Sequence, residues 1–331
     1  MAAQDISGNL THPAQANLAG ALDALMIEKF DGRVHIHEQD ASVTDGLFSM
    51  VPLVGTDTLS NAAMGDPTLQ SVVPGVEPLG KTIEVGTQIV QVKTPILARV
   101  VVAMLAQVQD RLAVKSRTPM NFGRKIAKIK DELLLHQAVK SGMKATGSGE
   151  VTDMPGGVNK ELAAATDELD ATKLEVGIMG VAQALMEQEI ELTDGTLFVA
   201  PAQYFTLLKN DKLTSADYSR GNANYAAAMV SVTCGMPITP TNRLSQAADD
   251  GSTAGSNANL MGANYVVTSE ESDIVGLYAT PDSIMVAQSI PLTSDVYWDK
   301  RLLTWFIDAY LAFGAAPDRP DKTGVLRKYR A

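Results

Sequence analysis

Leu18, Leu22, Leu25 and Met26 recur at helical spacing, and Gly32 stands just beyond them, so residues 14–30 are expected to form a short arm helix. From His35-Ile36-His37 to about Thr94 the pattern becomes mainly extended, with Gly55, Gly65, Pro67, Pro74, Gly75, Pro78 and Gly80 punctuating strand-like runs. The clearest run is Lys81 to Lys93, where Ile83, Val85, Thr87 and Ile89 alternate with Glu84, Gly86, Gln88 and Val90. Period two predicts a strand, with the Ser49 to Thr56 run as its hairpin partner. The connection between them would exceed about twenty residues, a length that usually means a segment reaching outward.

The strongest helix signal opens at Thr118-Pro119, a hydroxyl cap followed by a proline at the first helical position, and ends near Gly142. Phe122, Ile126, Ile129 and Leu133 form its apolar stripe, and Arg124, Lys125, Lys128 and Lys130 crowd its first half. Thr146 to Asp170 reads as an exposed connection. A helix over Lys173–Glu189, a buried strand over Thr196–Ala200 and a short helix from Pro201 to Leu208 should follow. The Ala247 to Asn259 stretch, rich in glycine, serine and asparagine, reads as a loop. Short strands are expected at Asn264–Thr268, Ile274–Ala279 and Ser283–Gln288, then alternating bulk from Leu302 to Phe313 and a Pro317–Pro320 turn before Gly324-Val325-Leu326.

With 331 residues and 45% hydrophobic composition, the chain can bury a large core or two medium ones. A formal net charge of -11 argues against a protein that coats nucleic acid, though not against a wall that encloses it. One cysteine, Cys234, leaves no intrachain disulfide framework and reads as a small buried hydrophobe. Met1 to Leu10 lacks the charge and apolar stretch of a secretory signal, and Pro95 to Ala106, interrupted by Arg99, falls short of the ~20 residues that span a bilayer. No membrane association is expected.

Gly75-Val-Glu-Pro-Leu-Gly80-Lys81-Thr82 matches the phosphate-loop pattern, and alone it would suggest a nucleotide-binding enzyme. That chemistry needs a helix directly after the loop, whereas Lys81 opens a strand pattern, and Glu77 and Pro78 put a negative charge and a missing amide where phosphates would sit. The match is read as coincidence. His35 and His37 share one face of an expected strand, but no further ligands accompany them, and His12 and His136 stand alone. Neither a nucleophile motif nor a cofactor motif is present, so the chain is read as non-enzymatic. The basic half of the long helix suits a solvated face, nucleic acid, or acids on a neighbouring subunit.

The order of elements resembles the Hong Kong 97-type α+β capsid fold of tailed-phage major capsid proteins, most of all those of short-tailed phages. The resemblance rests on Gly46 to Val102, Thr118 to Met143, Phe198-Val-Ala-Pro-Ala-Gln-Tyr204, Gly235-Met-Pro-Ile-Thr-Pro240 and Pro317 to Leu326. It implies an N-terminal arm (1–47), an extended loop (48–94), a peripheral domain (95–171 and 283–331) with a spine helix (118–142), and an axial domain (172–282). It further implies hexamers and pentamers of an icosahedral shell around double-stranded DNA, bound without sequence recognition, in a virion assembled in the host cytoplasm. A separate scaffolding protein and a portal protein are implied partners. Some relatives crosslink a lysine of the extended loop to a neighbour; Lys81 is nearest here, but no acceptor pattern accompanies it. A bacterial compartment shell of the same fold remains the alternative. On charge, Asp57, Asp66, Glu77 and Glu84 of the loop and Lys115, Arg117, Arg124, Lys125, Lys128 and Lys130 of the spine region are the candidate intersubunit contacts.

Overall fold

The computed structural model describes residues 21–65, 69, 71–72, 74–75, 77, 80, 83–103, 114–147, 154–214, 223–224, 229–244, 246–249 and 260–330. In chain order the elements are α1 (Ala21–Ala41), β1 (Met50–Pro52), β2 (Thr58–Met64), β3 (Val85–Gln91), β4 (Ile96–Ala103) and the long helix α2 (Val114–Met143). Next come β5 (Val158–Glu161), α3 (Ala171–Glu187), β6 (Thr196–Val199), α4 (Pro201–Leu207), α5 (Asp211–Thr214), β7 (Ala223–Asn224), β8 (Met229–Val230), β9 (Val232–Thr233) and β10 (Met236–Pro240). The chain ends through α6 (Ser269–Ser272), β11 (Ile274–Ala279), β12 (Ile284–Asp299), β13 (Thr304–Pro317) and β14 (Thr323–Arg327). These fall into two compact units, one of residues 1–42, 95–129 and 290–312, the other of 43–94, 130–289 and 313–331. The long elements α2, β12 and β13 run through both.

In the first unit, α1 lies against the start of α2. Phe30 meets Phe122 edge-on at 6.4 Å, and Val34 is fully buried. The backbones approach so closely that a Cβ on Gly123 would sit 2.7 Å from the Val34 carbonyl oxygen. This packing corrects the expectation that the helix stops at Gly32. A mid-helix glycine costs about 1 kcal/mol, and tertiary burial of Phe30 and Val34 outweighs it. Helix therefore continues through His35 and His37, whose 200° separation places them on different sides, and the shared strand face is corrected with it. Among the described residues no group of three or more His, Cys, Asp or Glu could hold a metal ion. The Asp31 carboxylate accepts from the Ser294 amide (3.0 Å) and hydroxyl (2.8 Å), tying α1 to β12. β4 pairs antiparallel with β13 from Ile96↔Leu311 to Ala103↔Thr304.

The second unit is built on a six-stranded sheet of order β5-β14-β11-β6-β10-β9. Leu174, Ile178, Val181 and Leu185 of α3 pack over it against Leu197, Val199, Tyr278 and Leu326. Asp170 caps α3 by accepting from the Thr172 and Lys173 amides. Cys234 (φ 51) and Gly235 (φ 86) form the two-residue turn between β9 and β10, the left-handed pair that matches hairpin twist. Cys234 is therefore a half-buried turn residue packed at the core's edge, not a buried core residue.

Several boundaries differ from the sequence reading. β3 pairs with β2, from Thr58↔Gln91 to Met64↔Val85, whereas β1 joins β12 in parallel, Met50↔Val286 to Pro52↔Gln288. β2 was hidden because Thr-Leu-Ser-Asn-Ala-Ala-Met carries few apolar side chains. α2 begins a turn before Thr118, with Pro119 inside it. Gly142 also lies within the helix, at a close approach where a Cβ would be 2.5 Å from Val325 Cγ2. The expected connection over 146–170 contains edge strand β5, whose one inward residue, Val158, gives no periodicity. Asn264–Thr268 is a 3-10 turn (Ala263–Tyr265) leading to α6, capped reciprocally by Thr268 and Glu271. The Ser283 strand extends to Asp299, and Leu302 lies in the turn before β13. The expected loop over 247–259 falls mostly outside the described residues.

Candidate assembly surfaces

The β2–β3 hairpin rests on one face and offers the other to solvent. Val90 is buried with Met285 and Ala287, and Leu59, Leu53 and Ala316 pack around them. Gly314 admits this base, since a Cβ there would lie 3.0 Å from the Gln91 carbonyl oxygen. On the same face the Asn61 amide donates to both carboxylate oxygens of Asp318, at 3.0 and 2.9 Å. The opposite face exposes Met64 (67%), Val85 (60%) and Ile89 (59%). Exposed apolar side chains in a row on a two-stranded element are the usual sign of a surface that another chain covers.

Of the charged candidates, Asp57 sits at the hairpin base, where its carboxylate accepts from the Gln91 amide at 2.9 Å. Glu84 lies just before β3, its carbonyl accepting from the Gly65 amide at 2.9 Å, and Glu77 is exposed on the connection. Asp66 and Lys81 fall outside the described residues, as do the side chains of Lys115 and Arg117. Arg124, Lys125 and Lys128 are exposed on α2, and Lys130 is half-buried. Lys81 and Thr82 of the phosphate-loop match are not described, but Gly75 precedes a strand, β3, instead of a helix.

Sequence reading missed the polar residues that fasten the second half of α2. Asp131 is fully buried; its carboxylate accepts from the Val43 amide (2.7 Å) and the Thr44 hydroxyl (2.6 Å) and pairs with Arg243. One turn on, His136 Nε2 lies 3.2 Å from Glu271 Oε2, and Lys140 donates to the Asn264 carbonyl at 2.7 Å. An acid inside an apolar helix stripe reads as solvated when its partners lie some ninety residues away in sequence, so no local signal marked these groups.

Burial pushes the Glu271 carboxyl up, but the His136 hydrogen bond, the Thr268 amide and the Lys140 charge outweigh it and hold it at about 2, against an ordinary 4.5. A carboxyl with a lowered folded-state pKa stabilises fully above its unfolded value and loses that contribution as pH falls through the folded value. Denaturant unfolding of the subunit should therefore lose on the order of 2 kcal/mol from this group between about pH 4.5 and pH 2. Glu271→Gln should flatten that part of the profile; an unchanged acid slope in the variant would show that Glu271 does not carry it.

Among the described residues no helix is long and apolar enough to cross a membrane. A family model described as phage capsid protein matches residues 105–327, more than half of the chain. No curated protein sequence matches. Among solved structures, the chain is similar to the capsid of cyanophage P-SCSP1u, with a TM-score of 0.76, 18% identity, and 88% of this chain and 89% of that chain covered. It is similar to the mature capsid of bacteriophage PhiM1, with a TM-score of 0.74, 20% identity and 88% of each chain covered. It also resembles a virus-like particle from Pyrococcus furiosus, with a TM-score of 0.53, 12% identity, and 91% and 98% covered. At these identities the structural likeness is one of fold, and the fold is the Hong Kong 97-type capsid fold. The matched family model and the exposed hairpin over that fold agree: the chain belongs to the phage capsid protein family and is a major capsid protein of a tailed phage, a structural, self-associating component of the virion shell.

Proposed function

We propose that this chain assembles into the hexamers and pentamers of an icosahedral shell that encloses phage double-stranded DNA, with the β2–β3 hairpin of each subunit lying over its neighbour. The observation that carries this reading is the hairpin's outward face, apolar at Met64, Val85 and Ile89 and left uncovered by the described residues. In this reading residues 172–282 surround the capsomer axis, and residues 95–171 and 283–331 form the periphery. A separate scaffolding protein guides closure, a portal protein occupies one vertex, and the phage is of the short-tailed kind. The wall encloses DNA without reading its sequence, in keeping with a net charge of -11. The virus-like particle neighbour favours a second reading, a compartment shell. Nuclease-protected DNA inside purified particles supports the virion, and nucleic-acid-free particles that retain a protein cargo support the compartment.

Charge supplies the test of the hairpin's reach. The connection and hairpin carry Asp57, Asp66, Glu77 and Glu84, and the spine carries Lys115, Arg117, Arg124, Lys125, Lys128 and Lys130. Exposed pairs contribute about 0 to 1 kcal/mol each and weaken with salt, so they act on register and rate more than on stability. Glu77→Lys with Glu84→Lys should slow shell formation several-fold at low salt and little near 1 M salt. Adding Lys125→Glu and Lys128→Glu should restore part of the rate. Equal rates for all variants at every ionic strength would remove the loop–spine attraction and favour a DNA-facing role for Arg124 to Lys130.

A further inference from the structure

Three sulfur-bearing residues gather where α3 passes the β9–β10 turn. Met179, Met186 and Cys234 line one cavity of about 410 Å³, together with Ala182, Gln183 and Glu187. All of them belong to the second unit. Met179 and Met186 are seven residues apart on α3. Two helical turns therefore separate them, which leaves them about 20° apart around the helix and about 10.5 Å apart along it. Ala182 lies between them and fills little of the cavity. The third sulfur comes from the hairpin, where Cys234 (φ 51) and Gly235 (φ 86) make the turn. Asparagine, aspartate and glycine suit that backbone better, so what cysteine adds at this position is its thiol.

The donor set is soft. Thioethers are poor ligands for hard cations, whereas a thiolate beside thioethers selects an ion of the copper(I) class. Zinc takes four nitrogen, sulfur or oxygen ligands, and methionine is not among its usual ones. The one carboxylate of the cavity, Glu187, already accepts from the Gln183 side-chain amide at 2.9 Å. Burial and the Glu175 charge push the Cys234 thiol up from its ordinary value. A thiol so placed is a poor nucleophile at neutral pH, which leaves coordination, with displacement of its proton, as the chemistry open to it.

We propose that Met179, Met186 and Cys234 form a binding site for a soft monovalent cation, copper(I) or silver(I). The metal–sulfur bond to Cys234 forms as its S–H bond breaks, and the proton leaves to solvent. The two thioethers complete the coordination by donating lone pairs, and no oxidation state changes. The ion joins residues of α3 to the β9–β10 turn, so it binds the folded chain and raises its stability by mass action. The site is independent of how the hairpin β2–β3 is used, since none of its residues lies there.

Because Cys234 is the one thiol of the chain, its labelling reports on the site alone. Anaerobic titration of the full chain with copper(I), held by a chromogenic chelator, should load one ion per chain. The same titration should raise ultraviolet thiolate-to-metal absorption and protect Cys234 from maleimide. Silver(I) should protect the thiol in the same way, and zinc(II) at equal concentration should not. Met179→Leu with Met186→Leu keeps the packing volume and should weaken copper(I) binding about tenfold or more, while the metal-free thiol labels at the wild-type rate. Cys234→Asn, which suits the left-handed turn, should abolish the absorption. Wild-type affinity in the double leucine variant would reduce the feature to an isolated thiol and overturn the proposal. Zinc(II) protection as strong as that by copper(I) would overturn it as well, and so would unchanged labelling with copper(I) present. Melting curves of the metal-free variants separate a lost ligand from a lost fold. Should the double variant melt well below the wild type, Met186→Leu alone, at the more exposed of the two positions, repeats the comparison.

Discussion

Replacing residues 62–87 by Asn-Gly should abolish closed shells and leave a folded subunit. The cut keeps the ladder pairs Thr58↔Gln91 to Asn61↔Gln88, and Asn-Gly closes them as a two-residue turn whose left-handed backbone suits a hairpin. What fastens the hairpin to its own chain survives: Val90 and Leu59 in the small core, and the Asn61–Asp318 hydrogen bonds. What is lost is the outward apolar face at Met64 and Val85 together with the long connection, and none of the described residues removed belongs to that core. Thermal unfolding of the dissociated subunit should be nearly unchanged, whereas sedimentation should find no particles. Normal shells from the shortened chain would show that the hairpin is dispensable, and a collapsed melting curve would show that it belongs to the subunit's own core.

Asp131→Ala should cost more stability than any single surface change. The substitution removes the carboxylate that answers Arg243, the Val43 amide and the Thr44 hydroxyl at a site with no solvent access. Breaking a buried ion pair by deleting one partner costs roughly 3 to 5 kcal/mol, because the remaining charge stays desolvated. Against a total stability of about 5 to 15 kcal/mol this is a large fraction. Asp131→Asn, which keeps an acceptor and the shape, should lose less. The check is denaturant unfolding of dissociated subunits. A change below about 1 kcal/mol for the alanine variant would show that Arg243 finds other partners at no cost.

What the sequence could reveal follows from where the stabilising contacts come from. α2, α3 and β3 bury a periodic face, and β6 and β11 are short apolar runs buried on both sides between turn residues, so their type was legible from the local pattern. α1 beyond Gly32 was not, because its helix is stabilised by Gly123 on a distant segment. β2 was not, because a hairpin with one face on a small core and the other outward needs few apolar residues on its own chain. Much of the candidate assembly surface was hidden for the same reason. Charges are visible in sequence and suggested the loop and spine candidates, but the outward row of Met64, Val85 and Ile89 exists only once β2 and β3 are aligned. Asp131 and Glu271 likewise look like ordinary surface acids until Arg243 and His136 are brought to them.

Electron microscopy of the purified, expressed chain should show closed icosahedral particles whose capsomers are hexamers and pentamers, with density for each β2–β3 hairpin crossing onto an adjacent subunit. A chain that stays monomeric, or particles in which every hairpin folds back on its own subunit, would contradict it.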